Sequence, residues 1–202
     1  MKIICIGRNY SEHAREMKSA IPEEPVIFLK PDTALLPKRQ PFFIPSFSSD
    51  LHHEVELVVR INRLGKGIEE KFAHRYYSEV TLGIDFTARD IQADCKSNGL
   101  PWEKAKAFDG SAPVGDWIQL GSKNVQDLAF ELKKNGDPVQ QGNTRDMLFS
   151  VDRLIHEISK YFTLKIGDFI FTGTPAGVGP VKVGDVLSAS LNGEELLRVN
   201  IK

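Results

Sequence analysis

Apolar residues fall in short runs along the chain, and few of those runs are long enough for a helix. Residues 2–6 read as a strand, Gly7-Arg8-Asn9-Tyr10 as a turn, and residues 11–19 as a short helix with the Ser11 hydroxyl as its expected cap. Residues 26–28 are apolar, after which Pro31, Pro37, Pro41 and Pro45 exclude helix and leave a loop with short edge strands. Residues 53–61, β-branched and alternating, carry the strongest strand signal. A helix over 69–76, a strand over 78–86 and a helix from Thr87 to about Lys96, stopped by Asn98-Gly99, follow. Residues 113–120 and 129–134 read as strands, and Asn135-Gly136 as a tight hairpin turn. Over 150–161, Val151, Leu154, Ile155 and Ile158 share one helical face. Strands over 169–172, 186–191 and 195–201 close the chain, the last two joined by Asn192-Gly193. Few helices and many hairpins predict an α+β fold with a largely antiparallel or mixed sheet.

Composition narrows the function. Lys plus Arg number 26 against 27 Asp plus Glu, a formal charge of -1, which gives no electrostatic case for nucleic acid or an anionic membrane. Cys5 and Cys95 are too few for a disulfide framework or a thiolate zinc site and read as small buried hydrophobes in a reducing compartment. No apolar run suits a signal peptide or a membrane span, and no repeat or linker divides the chain. One globular domain over residues 1–202, cytoplasmic, is the expectation.

The chemistry concentrates in carboxylates. Glu54 and Glu56 stand two apart in a predicted strand, so their side chains emerge on one face. An antiparallel strand can show that face to water, but Asp85 adds a third acid at the end of another apolar strand, where an acid needs a partner or a metal. Three carboxylates without thiolates make a hard oxygen site that suits Mg²⁺ or Mn²⁺ and disfavours zinc and copper. His52 and His53 stay outside this ligand set. Arg89 and Gln92, three apart, share a helical face, as do His13 and Glu16. Residues 172–179 are glycine-rich but lack the lysine and spacing of a phosphate-binding loop.

Six segments occur in a telling order: Gly7-Arg8-Asn9-Tyr10, His13 with Glu16, Glu54-x-Glu56, residues 85–90, Gly99-Leu100-Pro101-Trp102 with Lys106, and residues 172–179. In these the chain resembles the fumarylacetoacetate hydrolase family, in particular its short, single-domain acylpyruvase branch. The resemblance implies a mixed β-roll, a homodimer, and Mg²⁺ or Mn²⁺ held by Glu54, Glu56 and Asp85. It implies a 2-oxo acid substrate met by Arg8, Tyr10, Arg89, Gln92 and Thr174, the Thr174 hydroxyl donating to the substrate carboxylate. Lys106 becomes a cation near the developing oxyanion, and His13 with Glu16 a general-base pair in a mobile lid. The implied reaction is hydrolytic C–C cleavage of an acylpyruvate to pyruvate and a carboxylic acid, with oxaloacetate decarboxylation beside it. An isomerase or decarboxylase of aromatic-degradation dioates, or a catalytically silent metal-binding member, are the other readings of the same scaffold.

Overall fold

A computed structural model describes residues 1–17 and 20–202. Strand β1 (Ile3–Ile6) leads into helix α1 (Ser11–Glu16), and β2 (Ile27–Lys30) returns antiparallel to β1. Strands β3 (Leu51–His53) and β4 (Val55–Ile61) are separated by one residue, Glu54. Next come β5 (Tyr77–Ile84), β6 (Thr87–Ala88), α2 (Arg89–Ser97) and α3 (Glu103–Lys106). The remainder supplies β7 (Ile118–Gln119), β8 (Ala129–Lys134), β9 (Asp137–Asn143), α4 (Val151–Tyr161), β10 (Phe169–Phe171), β11 (Gly179–Pro180), β12 (Val186–Leu191) and β13 (Glu194–Asn200).

Among the described residues these strands form three sheets, in the orders β2-β1-β10-β4-β5-β7, β11-β3-β6 and β13-β12-β8-β9. The β1–β10 ladder is parallel and the other ladders antiparallel, so the fold is the expected mixed α+β type with few helices. Two neighbouring strands change sheets at the same level. The chain passes from β3 to β4 through Glu54 and from β5 to β6 through Asp85-Phe86, leaving one sheet and joining the other each time. The Asp85 amide donates to the Glu54 carbonyl at 2.8 Å across the two corners.

Local chemistry explains the elements. β4 runs through the core, with Leu57, Val58, Val59 and Ile61 fully buried, as befits a central strand covered on both faces. α4 buries Val151, Leu154, Ile155 and Ile158 as its periodicity predicts, and the Ser150 hydroxyl accepts from the Arg153 amide at 3.1 Å to cap it. At the hairpin turns, Asn135 and Gly136 take φ of 57° and 93°, and Asn192 and Gly193 take 49° and 87°, the left-handed pair a two-residue turn needs.

Several expectations are corrected. Ser11 does not cap α1; Tyr10 occupies the cap position and makes no side-chain cap bond. Lys18 and Ser19, the last two positions of the expected first helix, lie outside the described residues. Glu70–Tyr76 is a 3₁₀ helix, Thr87 belongs to a strand, and the strand expected over 113–120 shrinks to Ile118–Gln119. β9 and α3 emerge without having been expected. No helix among the described residues is long and apolar enough to cross a membrane.

Gly83 faces Glu56 in the β4–β5 register, and a Cβ there would lie 2.6 Å from the Phe171 ring and 2.8 Å from Val58. Gly83→Ala is therefore expected to destabilise the fold by about 1–3 kcal/mol through overpacking. Denaturant unfolding checks this; an unchanged midpoint would mean that Phe171 moves aside freely.

Candidate active site

Glu54, Glu56 and Asp85 bring carboxylate oxygens within 4.8 Å of one another, and all three residues are buried. The extended backbone places Glu54 and Glu56 on one side, as their spacing predicts, although Glu54 sits in the sheet-switch corner rather than inside a strand. The Gly173 amide donates to Glu56 Oε2 at 2.7 Å. Gly173 has a φ of +99°, and a Cβ there would come within 2.7 Å of Asn9, so the approach demands glycine.

Cations surround the acids. Lys106 Nζ lies 2.8 Å from Glu54 Oε2 and 2.7 Å from Asp85 Oδ2, and Arg89 donates to Glu54 Oε1 at 2.5 Å. Lys30, buried on the sheet edge, brings its ammonium within 2.7 Å of Asp85 Oδ1. Its protons point elsewhere, to the Lys106 carbonyl, the Ser111 carbonyl at 3.2 Å and the Ser111 hydroxyl at 2.9 Å. Asp85 Oδ1 thus feels a positive charge but receives no hydrogen bond. Burial alone would raise the Glu54 pKa, but Lys106 and Arg89 hold it well below the carboxylate range. Glu56 goes the other way: burial, then the charges of Asp85 and Glu54, push it well above that range.

This donor set fits a hard divalent cation. Three carboxylates crowded into one buried volume cannot all stay ionised without added positive charge, and Asp85 Oδ1 is an oxygen with a free coordination direction. Lys106 keeps company with the acids, as expected, yet its three protons go to Glu54, Asp85 and the Thr87 hydroxyl, the last at 2.6 Å. It therefore offers charge to an oxyanion rather than a spare hydrogen bond.

A narrow cleft of about 20 Å³ opens beside the acids, room for little more than one water. Helix α1 lines it with His13, 5% exposed, whose Nδ1 lies 3.3 Å from Glu16 Oε2. A carboxylate only accepts, so Nδ1 carries the proton and Nε2 the lone pair. The Gly177 amide, 3.2 Å from both Glu16 oxygens, ties this pair to the glycine-rich loop. Burial lowers the His13 pKa below its ordinary value, with the nearby Glu54 and Glu16 opposing. Asn9 anchors the start of α1 by donating to the Thr172 carbonyl at 2.8 Å and the Phe149 carbonyl at 3.0 Å.

Arg8, Arg89 and Gln92 line the same cleft. Arg89 donates to Gln92 Oε1 at 2.7 Å, which leaves the Gln92 amide NH₂ as the end available to a ligand. Two residues expected to meet substrate face other partners in this structure. Tyr10 does not line the cleft; it turns into the core edge-on to Phe130, its hydroxyl buried without a hydrogen bond. The Thr174 hydroxyl donates to the Val55 carbonyl and accepts from Gln140 Nε2, each at 2.8 Å, so its one proton is not free for a substrate.

Three residues near the site escaped the sequence reading. Lys30 and Gln140 carry no signal, because each falls in a stretch where the sequence pattern predicts no strand. Lys96 does: it follows Arg89 and Gln92 at the i+7 position on α2 and lines the cleft. Gln140 is saturated, Oε1 facing the Val55 amide and His53 Nδ1 at 3.0 Å each, and Nε2 donating to Thr174 and, at 3.0 Å, to the Pro175 carbonyl.

A mixed-sheet fold that holds three buried acids beside a cation-lined cleft defines an enzyme site of the divalent-metal, oxygen-ligand class. The chain belongs to the fumarylacetoacetate (FAA) hydrolase C-terminal family, whose pattern matches residues 2–201. It is 45% identical over 192 residues to the mitochondrial oxaloacetate tautomerase FAHD1 of Bos taurus, covering 95% of this chain and 87% of that one. It is 45% identical over 197 residues to the oxaloacetate tautomerase YcgM of Escherichia coli (strain K12), covering 96% and 90%. A solved fumarylpyruvate hydrolase from Pseudomonas aeruginosa, in complex with Mn²⁺ and pyruvate, superposes with a TM-score of 0.93 at 34% identity over 100% of this chain and 89% of that one.

Gln140→Leu strips partners from His53, Val55, Thr174 and Pro175 at once and is expected to cost about 2–5 kcal/mol of stability. Urea unfolding measures it, and a loss below about 0.5 kcal/mol would contradict the keystone role.

Proposed function

We propose that this chain interconverts the keto and enol forms of oxaloacetate, with Glu54, Glu56 and Asp85 holding one Mg²⁺ or Mn²⁺. The observation that carries the reading is the His13–Glu16 pair on α1, a buried imidazole with its lone pair at Nε2, lining the cleft beside the acid cluster. The two tautomerase relatives support it. When bound, the cation supplies Lewis-acid stabilisation of negative charge on a 2-oxo oxygen.

The protein's own groups account for the proton. Enolisation breaks a C–H bond at C3 and delivers a proton to the oxygen on C2. His13 Nε2 takes the C3 proton, Glu16 steadies the imidazolium that results, and the imidazolium gives the same proton to the C2 oxygen, which closes the cycle with His13 neutral again. Gln92, its amide turned by Arg89, donates to the substrate, while Lys106 contributes positive charge and Arg89 keeps Glu54 ionised. The cleft as it stands holds little more than a water, so α1 shifts outward to admit substrate and closes to exclude solvent.

A second reading, hydrolytic cleavage of an acylpyruvate to pyruvate and a carboxylic acid, is favoured by the likeness to the fumarylpyruvate hydrolase. The same dyad would then take a proton from water. Following loss of oxaloacetate enol absorbance and pyruvate release from acetylpyruvate, with Mg²⁺ or Mn²⁺ present, separates the two. Tautomerisation is expected to dominate; faster pyruvate release would install the second reading.

His13→Ala is expected to slow tautomerisation by about 10²- to 10⁴-fold with metal affinity retained. A rate within twofold of wild type at saturating metal would remove the dyad from the mechanism. Because the imidazole must be neutral and its pKa is lowered by burial, activity persists to pH below the ordinary histidine range and falls as pH drops through the shifted value. A pH–rate profile with its acid limb above the ordinary histidine pKa would oppose this assignment. Chelation is expected to abolish activity and Mn²⁺ to restore it, whereas Glu56→Ala should weaken the cation in calorimetry; unchanged affinity would dismiss the triad.

A further inference from the structure

The cleft holds more positive charge than its acids engage. Lys106, Lys30 and Arg89 each face Glu54 or Asp85, but Arg8 and Lys96 make no ion pair among the described residues. Both line the cleft. Lys96 stands on the face of α2 that carries Arg89 and Gln92, the three spaced i, i+3 and i+7, about 10 Å along the axis. Helical side chains lean towards the N-terminus, so the Lys96 stem runs back towards the Arg89 end and the acids.

Trp102 fixes the other end of that stem. The Lys96 ammonium lies 5.7 Å from the indole centroid, and the indole meets Phe28 edge-on at 5.9 Å. Lys96 as a residue is exposed at the rim, but its ammonium is crowded: partial loss of water, then the charges of Arg89 and Arg8, lower its pKa, with Glu54 opposing. Uncompensated positive charge at this end of the cleft is relieved by an anion.

We propose that Lys96, together with Arg8, forms a subsite for the second carboxylate of the substrate, so that the cleft selects 2-oxo dicarboxylates over 2-oxo monocarboxylates. The inference rests on the 2-oxo acid reading above and names the substrate class of that site. A 2-oxo acid would place one carboxylate and the keto oxygen at the acid cluster, and in oxaloacetate the single C3 methylene then carries the second carboxylate along the α2 face towards Lys96. A monocarboxylate leaves the two cations without a partner.

The test uses Lys96→Met, which keeps the stem over Trp102 and removes the charge, and Lys96→Arg, which keeps the charge. Binding of pyruvate and of 3,3-difluoro-oxaloacetate, which has no C3 proton to lose, is measured by calorimetry on the Mn²⁺-loaded protein, with oxaloacetate turnover followed separately. Lys96→Met is expected to lower the ratio of dicarboxylate to pyruvate affinity by about ten- to hundredfold, and Lys96→Arg to recover most of it. An unchanged ratio in Lys96→Met overturns the subsite, as does an equal loss for both ligands. If the ratio falls as expected while the wild type does not tautomerise oxaloacetate, the subsite stands and the tautomerase reading fails. Tautomerisation by the wild type with an unchanged ratio is the reverse result.

Discussion

Two adjacent strands leave one sheet for another at the same level, and the site depends on that coincidence. A strand that turns between sheets must take its corner residues out of the ladder, which frees them to point into the space between the layers. Glu54 and Asp85 are those corner residues, and the 2.8 Å bond from the Asp85 amide to the Glu54 carbonyl clamps the two corners together. Glu56 joins them because it is two residues along the same extended chain. β6 and α2 begin where this clamp ends and so deliver Arg89 to the same volume, which Lys106 reaches from α3 farther along the chain.

Burying three carboxylates would be prohibitive without compensation, and the fold meets that cost with side chains brought from far along the chain. Lys30 comes from an edge strand, Lys106 from the last turn of a four-residue helix and Arg89 from the first turn of α2. The opposite displacements of Glu54 and Glu56 express the same imbalance: Lys106 and Arg89 hold the Glu54 pKa down, whereas burial and the charges of Asp85 and Glu54 raise that of Glu56. A divalent cation is the missing charge. With it in place the centre becomes net positive, which fits an anionic substrate rather than a neutral one.

Much of this was legible in the sequence, and the parts that were not share a cause. Strands, hairpins and the amphipathic α4 could be read because periodicity and Asn-Gly turns are local. The acid cluster was legible because Glu54-x-Glu56 and Asp85 each break an apolar strand pattern, and the order of six motifs pointed to the family. What escaped depends on distant contacts. The break at Glu54 reflects pairing with two different sheets; Lys30 and Gln140 acquire meaning only when β2 and β9 are docked. Ser11 fails as a cap although its residue type suits one, because α1 is positioned by Asn9 and Glu16 rather than by its own first turn. Tyr10 packs into the core for a related reason that the sequence does not carry: motif membership does not say which way a side chain faces.

Counting protons divides the site into a frame and a working surface. Lys106, Lys30 and the Thr174 hydroxyl have every donor spent on protein acceptors, and Gln140 has both ends saturated. Such groups stiffen the site, because any departure strands a buried partner. The Gln92 amide, the Arg8 guanidinium and the Lys96 ammonium line the cleft with protons that no acceptor among the described residues takes, and His13 keeps a lone pair. A ligand entering the cleft therefore meets several free donors and one base. That pattern is the one the proposed dicarboxylate subsite needs, and under that proposal charge at the rim, rather than apolar contact, would set the selectivity of the cleft.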